Sequence, residues 1–232
     1  MNYGVNSIQK ESMVLDYHRI KSFWDRRAES QNGALKAFNL GTSEEQHRIQ
    51  ISNLMEQIDE NDQSAVDLGC GGGRITIPLA QRLTRVVAVD FAEKVLEILK
   101  KNLIGQHISN VTPLCANCFD PLTLESNSYD AAIIFGVFSC LNDQDVLKTV
   151  LNAKGLIKLS GKIIVRESVG SQGRYEIDKY SDELESDYCA IYRTPDEIEN
   201  YFLDNGFKIK LSKPLYQQRQ ETGTWFWVFE PK

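Results

Sequence analysis

Between Val66 and Leu79 the chain reads VDLGCGGGRITIPL: an apolar run carrying Asp67, a turn with glycine at 69, 71, 72 and 73, and a helical start. An apolar strand that turns through glycines into a helix brings bare backbone N–H groups to the helix mouth, where a polar ligand can approach. About twenty residues beyond the glycines, the distance at which a βαβ unit presents an acid to a ribose diol, VVAVD ends a second apolar strand at Asp90. A lone glycine turn is ordinary backbone punctuation. Strand, glycines, helix, strand and terminal acid in that order constrain the fold much more tightly.

The rest of the chain repeats the alternation. Strands are expected at 65–68, 86–89, 111–115, 131–135 and 161–165, with helices around 75–83, 92–102 and 143–157. Such alternation implies a parallel sheet with right-handed crossovers. A last helix, 195–205, precedes strands 206–213 and 225–230, which the polar stretch QQRQETG joins into a hairpin. The expected fold class is α/β: a doubly wound, mostly parallel seven-stranded sheet with a C-terminal antiparallel hairpin. Residues 12–30 and 43–58 have helical apolar spacing and read as N-terminal cap helices over the ligand site. At 232 residues, without repeat or linker, the chain is expected to be a single domain over 1–232, with caps in 1–60 and a core in 61–232. The stretch 168–194 is too long for a tight strand-to-helix connection and reads as a lid insertion.

A net charge of −6 and a pI near 5.2 argue against a broad nucleic-acid footprint. No apolar run reaches the length of a membrane span and the start MNYGVNSIQKES lacks a hydrophobic signal core, so a soluble cytoplasmic protein without a membrane partner is expected. The odd number of cysteines, five, suits reduced thiols rather than a disulfide framework. Cys115 and Cys118 form a C-x-x-C without a second ligand pair, so no metal is expected there.

In DLGCGGGR and AVDFAEKVLEILKKN the chain resembles the class I S-adenosylmethionine-dependent methyltransferases, the two strings being similar to that family's first and second motifs. The resemblance implies a Rossmann-like methyltransferase fold, S-adenosyl-L-methionine as cofactor with S-adenosyl-L-homocysteine as its product, and a ribose-binding role for Asp90. A nicotinamide-dependent oxidoreductase competes on the same scaffold. Against it, a G-x-G-x-x-G match starting at Gly69 fails at Arg74, and an anionic Asp67 would repel a pyrophosphate while suiting a sulfonium.

Ligands of open α/β sheets sit beyond the carboxyl ends of the strands. The first strand therefore offers Asp67, Gly69, Cys70 and Gly71, with Arg74 close by as a bidentate partner for the methionine carboxylate. The second offers Asp90, and Phe91 as an apolar face for adenine. After the third, Asn117, Cys118 and Phe119 stand where the family more often shows aspartate and a small residue, and the resemblance places them at the adenine. Phe135 and Gly136 follow the fourth strand and would line the methionyl arm. The segment KSFWDRRAES resembles the aromatic-plus-arginine opening helix of small-molecule members, placing Trp24 near the sulfonium and Arg27 near the carboxylate; an amphipathic helix with Trp24 buried and Arg27 solvated explains the same residues.

Catalytic candidates are Glu167, just past the fifth strand, as a base, and Tyr192 in the lid; Tyr175, Tyr188 and Arg193 join Tyr192 on the substrate side. His18 and His47 lie on cap helices that could swing over the pocket, whereas His107 precedes a strand and belongs at the opposite end. The acids Asp182, Glu183, Glu185 and Asp187 either receive a cationic amine or form a solvated face. The leading function is methyl transfer to an oxygen or nitrogen of a small-molecule metabolite. A peptide or protein amine is the alternative, since the GGGRIT turn and final hairpin loosely resemble α-N-terminal protein methyltransferases. An oxidoreductase or a non-catalytic cofactor-binding module stands behind both. Oligomeric state and acceptor identity are not legible in the sequence.

Overall fold

The computed structural model of the chain describes residues 13–30, 42–182, 184–217 and 219–232. Two helices come first, α1 (Tyr17–Ser30) and α2 (Glu44–Met55). The alternating unit follows: β1 (Ser64–Leu68), α3 (Thr76–Ala80), β2 (Arg85–Asp90), α4 (Glu93–Gly105), β3 (Val111–Cys115), β4 (Tyr129–Phe135), α5 (Asp143–Leu156) and β5 (Ile157–Gly170). A separate hairpin, β6 (Tyr175–Ser181) and β7 (Ser186–Tyr192), leads to α6 (Pro195–Leu203), β8 (Phe207–Gln217) and β9 (Thr222–Pro231). The expected start of the first helix at Ser12, the cap residues 31–41 and Glu183 lie outside the described residues.

The large sheet has seven strands in the order β3-β2-β1-β4-β5-β9-β8. Strands β1 to β5 are parallel, and β9 pairs antiparallel with both β5 and β8. The terminal hairpin therefore does not simply extend the edge: its second strand inserts beside β5 and its first becomes the edge. The chain order reverses between β1 and β4, the crevice where open α/β sheets bind ligands.

Period-two alternation sorts each strand's side chains between two apolar layers. Val66, Leu68, Ile134, Ile163 and Val165 face α5 and α6 with Phe202 and Trp227. Ala65, Ile133, Ile164 and Phe226 face α2 and α3 with Leu54 and Leu79. Each fully buried aliphatic side chain of this kind contributes about 1.5–3 kcal/mol relative to exposure. The helices start where their sequences cap them: Ser43 and Gln46 close a capping box on α2, and Thr194 and Glu197 close one on α6.

The expected lid is a β-hairpin anchored at both feet. Arg174 precedes β6 and Arg193 follows β7, and both reach Asp143 at the start of α5, Arg174 at 3.0 Å and Arg193 at 2.8 Å. Arg193, 1% exposed, also donates to the carbonyls of Phe138 and Leu141. Removing the anion would strand a buried guanidinium, the costly half of breaking a buried pair. Asp143→Ala is expected to lose about 2–4 kcal/mol in urea unfolding and to lose amide protection in β6 and β7 before β1 to β5. Equal protection loss across both sheets would reject the anchoring role.

Candidate functional site

A cavity of about 590 Å³ opens at the carboxyl ends of β1, β2 and β4 and runs beneath α1, α2 and the β6–β7 hairpin. Its floor is the glycine turn. Gly69 has φ +80°, and a Cβ there would stand 2.4 Å from Val137 Cγ2, so only glycine lets the two cavity turns meet. Asp90, 9% exposed, ties the floor together: Oδ2 accepts from Gly71 N and Oδ1 from Ala92 N, both at 3.0 Å. Burial raises its pKa to about 6, against the pull of those N–H groups.

Of the residues expected at the cofactor, Trp24, Gly69, Cys70, Gly71, Arg74, Asp90, Phe91, Asn117, Cys118, Phe119, Phe135 and Gly136 all line this cavity. Phe119 stacks on Tyr17, with centroids 5.1 Å apart, and the Tyr17 hydroxyl donates to Asp145, so α1 is fixed against the start of α5. Cys118 is buried against Thr149 while Cys115 is exposed, so the two thiols point to different surroundings. Arg74 Nε donates to His47 Nδ1 at 3.4 Å.

On the lid side Tyr175, Tyr188 and Tyr192 line the cavity as expected. The hydroxyls of Tyr188 and Tyr192 are 2.9 Å apart, and Tyr175 stacks on Tyr192 at 6.0 Å. Burial raises the pKa of both bonded phenols, which keeps them protonated.

Four expected site residues stand elsewhere. Asp67 shares Ala65's face of β1 and points beneath the turn, 1% exposed, where it accepts from Thr76 Oγ1 at 2.6 Å. Glu167 shares Val165's face of β5, and it is fully buried. Its Oε1 accepts from Val137 N and, at 2.8 Å, from Phe138 N, so it holds the turn after β4 from behind and does not line the cavity. Burial raises its pKa to about 7. Arg27 does not line the cavity either; its guanidinium lies over the Phe23 ring at 5.6 Å. Arg193 is the hairpin anchor described above.

The cavity also holds groups that the motifs did not nominate as ligand contacts. His47 and Gln50 enter from α2, Arg166 from β5, Ser139 and Cys140 from the turn after β4, and Arg219, Glu221 and Thr222 from the β8–β9 connection. The strand-end rule that nominated Glu167 applies equally to Arg166, and alternation along IIVRE decides between them. The sequence places α2 over the site as a cap helix but does not report which of its side chains enter the cavity. His47 is kept neutral, its pKa lowered to about 4 by burial and by the charges of Arg74 and Arg166.

Residues 65–161 match the family model described as "Methyltransferase domain". Over these residues the chain carries a methyltransferase domain. Phosphoethanolamine N-methyltransferase 1 of Zea mays is 30% identical over 162 residues, which take in 66% of this chain and 31% of that relative. The chain thus matches about a third of that relative's length. N-terminal Xaa-Pro-Lys N-methyltransferase 1 of Homo sapiens is 25% identical over 210 residues, 88% of each chain. A solved structure of Haemonchus contortus phosphoethanolamine N-methyltransferase 1, in complex with phosphoethanolamine and S-adenosylhomocysteine, superposes with a TM-score of 0.72 at 20% identity. It covers 95% of this chain and 50% of that one, which establishes the shared methyltransferase fold. Among the described residues no helix is long and apolar enough to cross a membrane.

The buried Asp67 of this domain has a pH signature. Burial first, and the Asp90 charge after it, raise the Asp67 pKa to about 7 from an ordinary 3.8. A carboxyl held above its unfolded pKa contributes stability that is complete below about pH 4 and lost as pH rises through about 7. The stability of the protein relative to its Asp67→Asn variant is therefore expected to fall between pH 4 and pH 7.5 in thermal melts. Parallel profiles for the two proteins would contradict the buried assignment.

Proposed function

We propose that the protein transfers a methyl group from S-adenosylmethionine to the nitrogen or oxygen of a small-molecule acceptor enclosed beneath the β6–β7 hairpin. One observation carries the reading: the strand-tip residues suited to the donor and the lid tyrosines suited to an acceptor line the same cavity. In this reading Asp90, with lone pairs left beyond its two N–H bonds, accepts from the ribose hydroxyls. Phe91, Asn117, Cys118 and Phe119 surround the adenine, Arg74 pairs with the carboxylate, and Phe135 and Gly136 flank the methionyl arm below Trp24.

The bound donor supplies a methyl group already activated on a sulfonium: the acceptor lone pair forms the new bond in line as the C–S bond breaks, its electron pair stays on sulfur, and the acceptor's proton passes to solvent. The protein's part is alignment, an effect on the order of several kcal/mol when orientation is good. Tyr192 and Tyr188, held as phenols, orient the acceptor by hydrogen bonding, and no deprotonation is assigned to them. Glu167 acts at one remove, fixing the backbone of Val137 and Phe138 against the donor.

Phosphoethanolamine is the first acceptor to test, because the maize and nematode relatives carry its name. A peptide N-terminal amine is the second, favoured by the human relative, whose match spans 88% of each chain. Incubation with methyl-labelled donor and each acceptor, read by mass spectrometry, is expected to label the small amine. Label in the peptide alone would move the second reading to first place, and label in neither acceptor would count against both. Asp90→Ala is expected to weaken S-adenosylhomocysteine binding at least about tenfold with an unchanged circular dichroism spectrum, and unchanged affinity would remove it from the ribose. Tyr192→Phe is expected to raise the acceptor KM about threefold to tenfold while leaving S-adenosylhomocysteine affinity unaltered.

A further inference from the structure

At the α2 end of the cavity stands a buried cation that forms no salt bridge among the described residues. Arg166 pairs in register with Phe135 and shares the face of Ile164, so its side chain rises beneath α2. It is 9% exposed and lines the cavity. Nη2 donates to Tyr216 Oη at 3.3 Å, while Nε is buried with no hydrogen-bond partner. Nη1 lies 3.3 Å from where a Cβ would stand on Gly136, which places the guanidinium against the turn after β4.

Among the described residues no carboxylate forms an ion pair with it. Glu167, next in sequence, feels the Arg166 charge through space but faces the opposite layer, accepts from Val137 and Phe138 through Oε1, and makes no salt bridge to the guanidinium. Glu44 lies 3.7 Å from Arg74 instead. Holding a guanidinium in apolar surroundings with an unmatched N–H is costly, and such groups are ordinarily paired. Arg74 and His47 add further donors beside it. Because His47 Nδ1 accepts from Arg74 and the ring is neutral, its proton sits on Nε2 as a further donor.

We propose that Arg166, together with Arg74 and His47, forms an oxyanion subsite that receives a carboxylate or phosphate of a ligand bound in this cavity. Two sources share that chemistry: the α-carboxylate of the methyl donor, and an anionic group on the acceptor. The inference rests on the donor occupying this cavity.

Calorimetry on Arg166→Met separates the cases. S-adenosylhomocysteine is compared with 5′-methylthioadenosine, which keeps the nucleoside and lacks the carboxylate; phosphoethanolamine is titrated onto protein saturated with S-adenosylhomocysteine. A donor carboxylate at Arg166 predicts at least about a tenfold loss for S-adenosylhomocysteine and none for 5′-methylthioadenosine. An acceptor anion predicts unchanged S-adenosylhomocysteine and a similar loss for phosphoethanolamine. In both cases the ligand-free variant is expected to melt at or above the wild-type temperature, since an unmatched buried charge is gone. Unchanged affinity for all three compounds overturns the subsite, and a lowered melting temperature with unchanged affinities makes Arg166 a structural residue. Should Arg166→Met not fold, Arg166→Lys, which keeps the charge and loses the planar fork, carries the same comparison. Wild-type protein that fails to bind S-adenosylhomocysteine overturns the functional reading and this inference together; a wild type that binds beside an indifferent variant overturns this inference alone.

Discussion

The hydrogen bond that Asp90 accepts from Gly71 joins the tips of β1 and β2 into one surface, and the one it accepts from Ala92 fixes the carboxylate in place. The glycines of the turn have no side chains with which to hold it, so its shape depends on this carboxylate, on the Val89 carbonyl that accepts from Gly69 and Cys70, on the Asn102 amide that donates to Gly72, and on the Asp67–Thr76 bond below. Both acids are buried and resist ionisation, as their raised pKa values record. The floor is thus firm before any ligand arrives, and preorganisation of this kind favours donors aimed at a fixed position.

The acceptor side is built differently. Among the described residues the β6–β7 hairpin pairs with no strand of the main sheet; its two flanking arginines converge on Asp143, and Arg19 of α1 pairs with Asp178. Arg193 also holds the carbonyls of Phe138 and Leu141, so the foot of the lid and the turn beside Gly136 are one hydrogen-bonded unit. Glu167 secures that turn through its N–H groups from the opposite side. The tyrosine-bearing hairpin and the turn beside the glycine floor are thereby joined by a polar network of four buried or half-buried side chains, Arg174, Arg193, Asp143 and Glu167.

Much of this was legible in the chain because period and spacing report backbone geometry directly. The five parallel strands and the cavity positions of Asp90, Phe91, Asn117 and Gly136 follow from the alternation and from strand ends. What failed was direction. Asp67 and Glu167 lie at strand ends, yet alternation turns one beneath the glycine turn and the other behind the turn after β4; the same alternation brings forward Arg166. The hairpin escaped detection because Asp178, Lys179, Ser186 and Asp187 are poor strand formers, and its pairing is sustained by anchors distant in sequence. His47 was recognisable only as one of two cap-helix histidines able to reach the pocket, and the docking of α2 against Tyr216, a tertiary matter, is what brings it there.

The placement of β9 between β5 and β8 has a consequence for biogenesis. Of the strands in the large sheet β9 is translated last, yet it occupies an interior position. Until it emerges from the ribosome, β5 presents a long unprotected flank of N–H and C=O groups to any neighbouring nascent chain. Closure of that flank must await the final hairpin, so the order of synthesis and the order of assembly run in opposite senses along this side of the molecule.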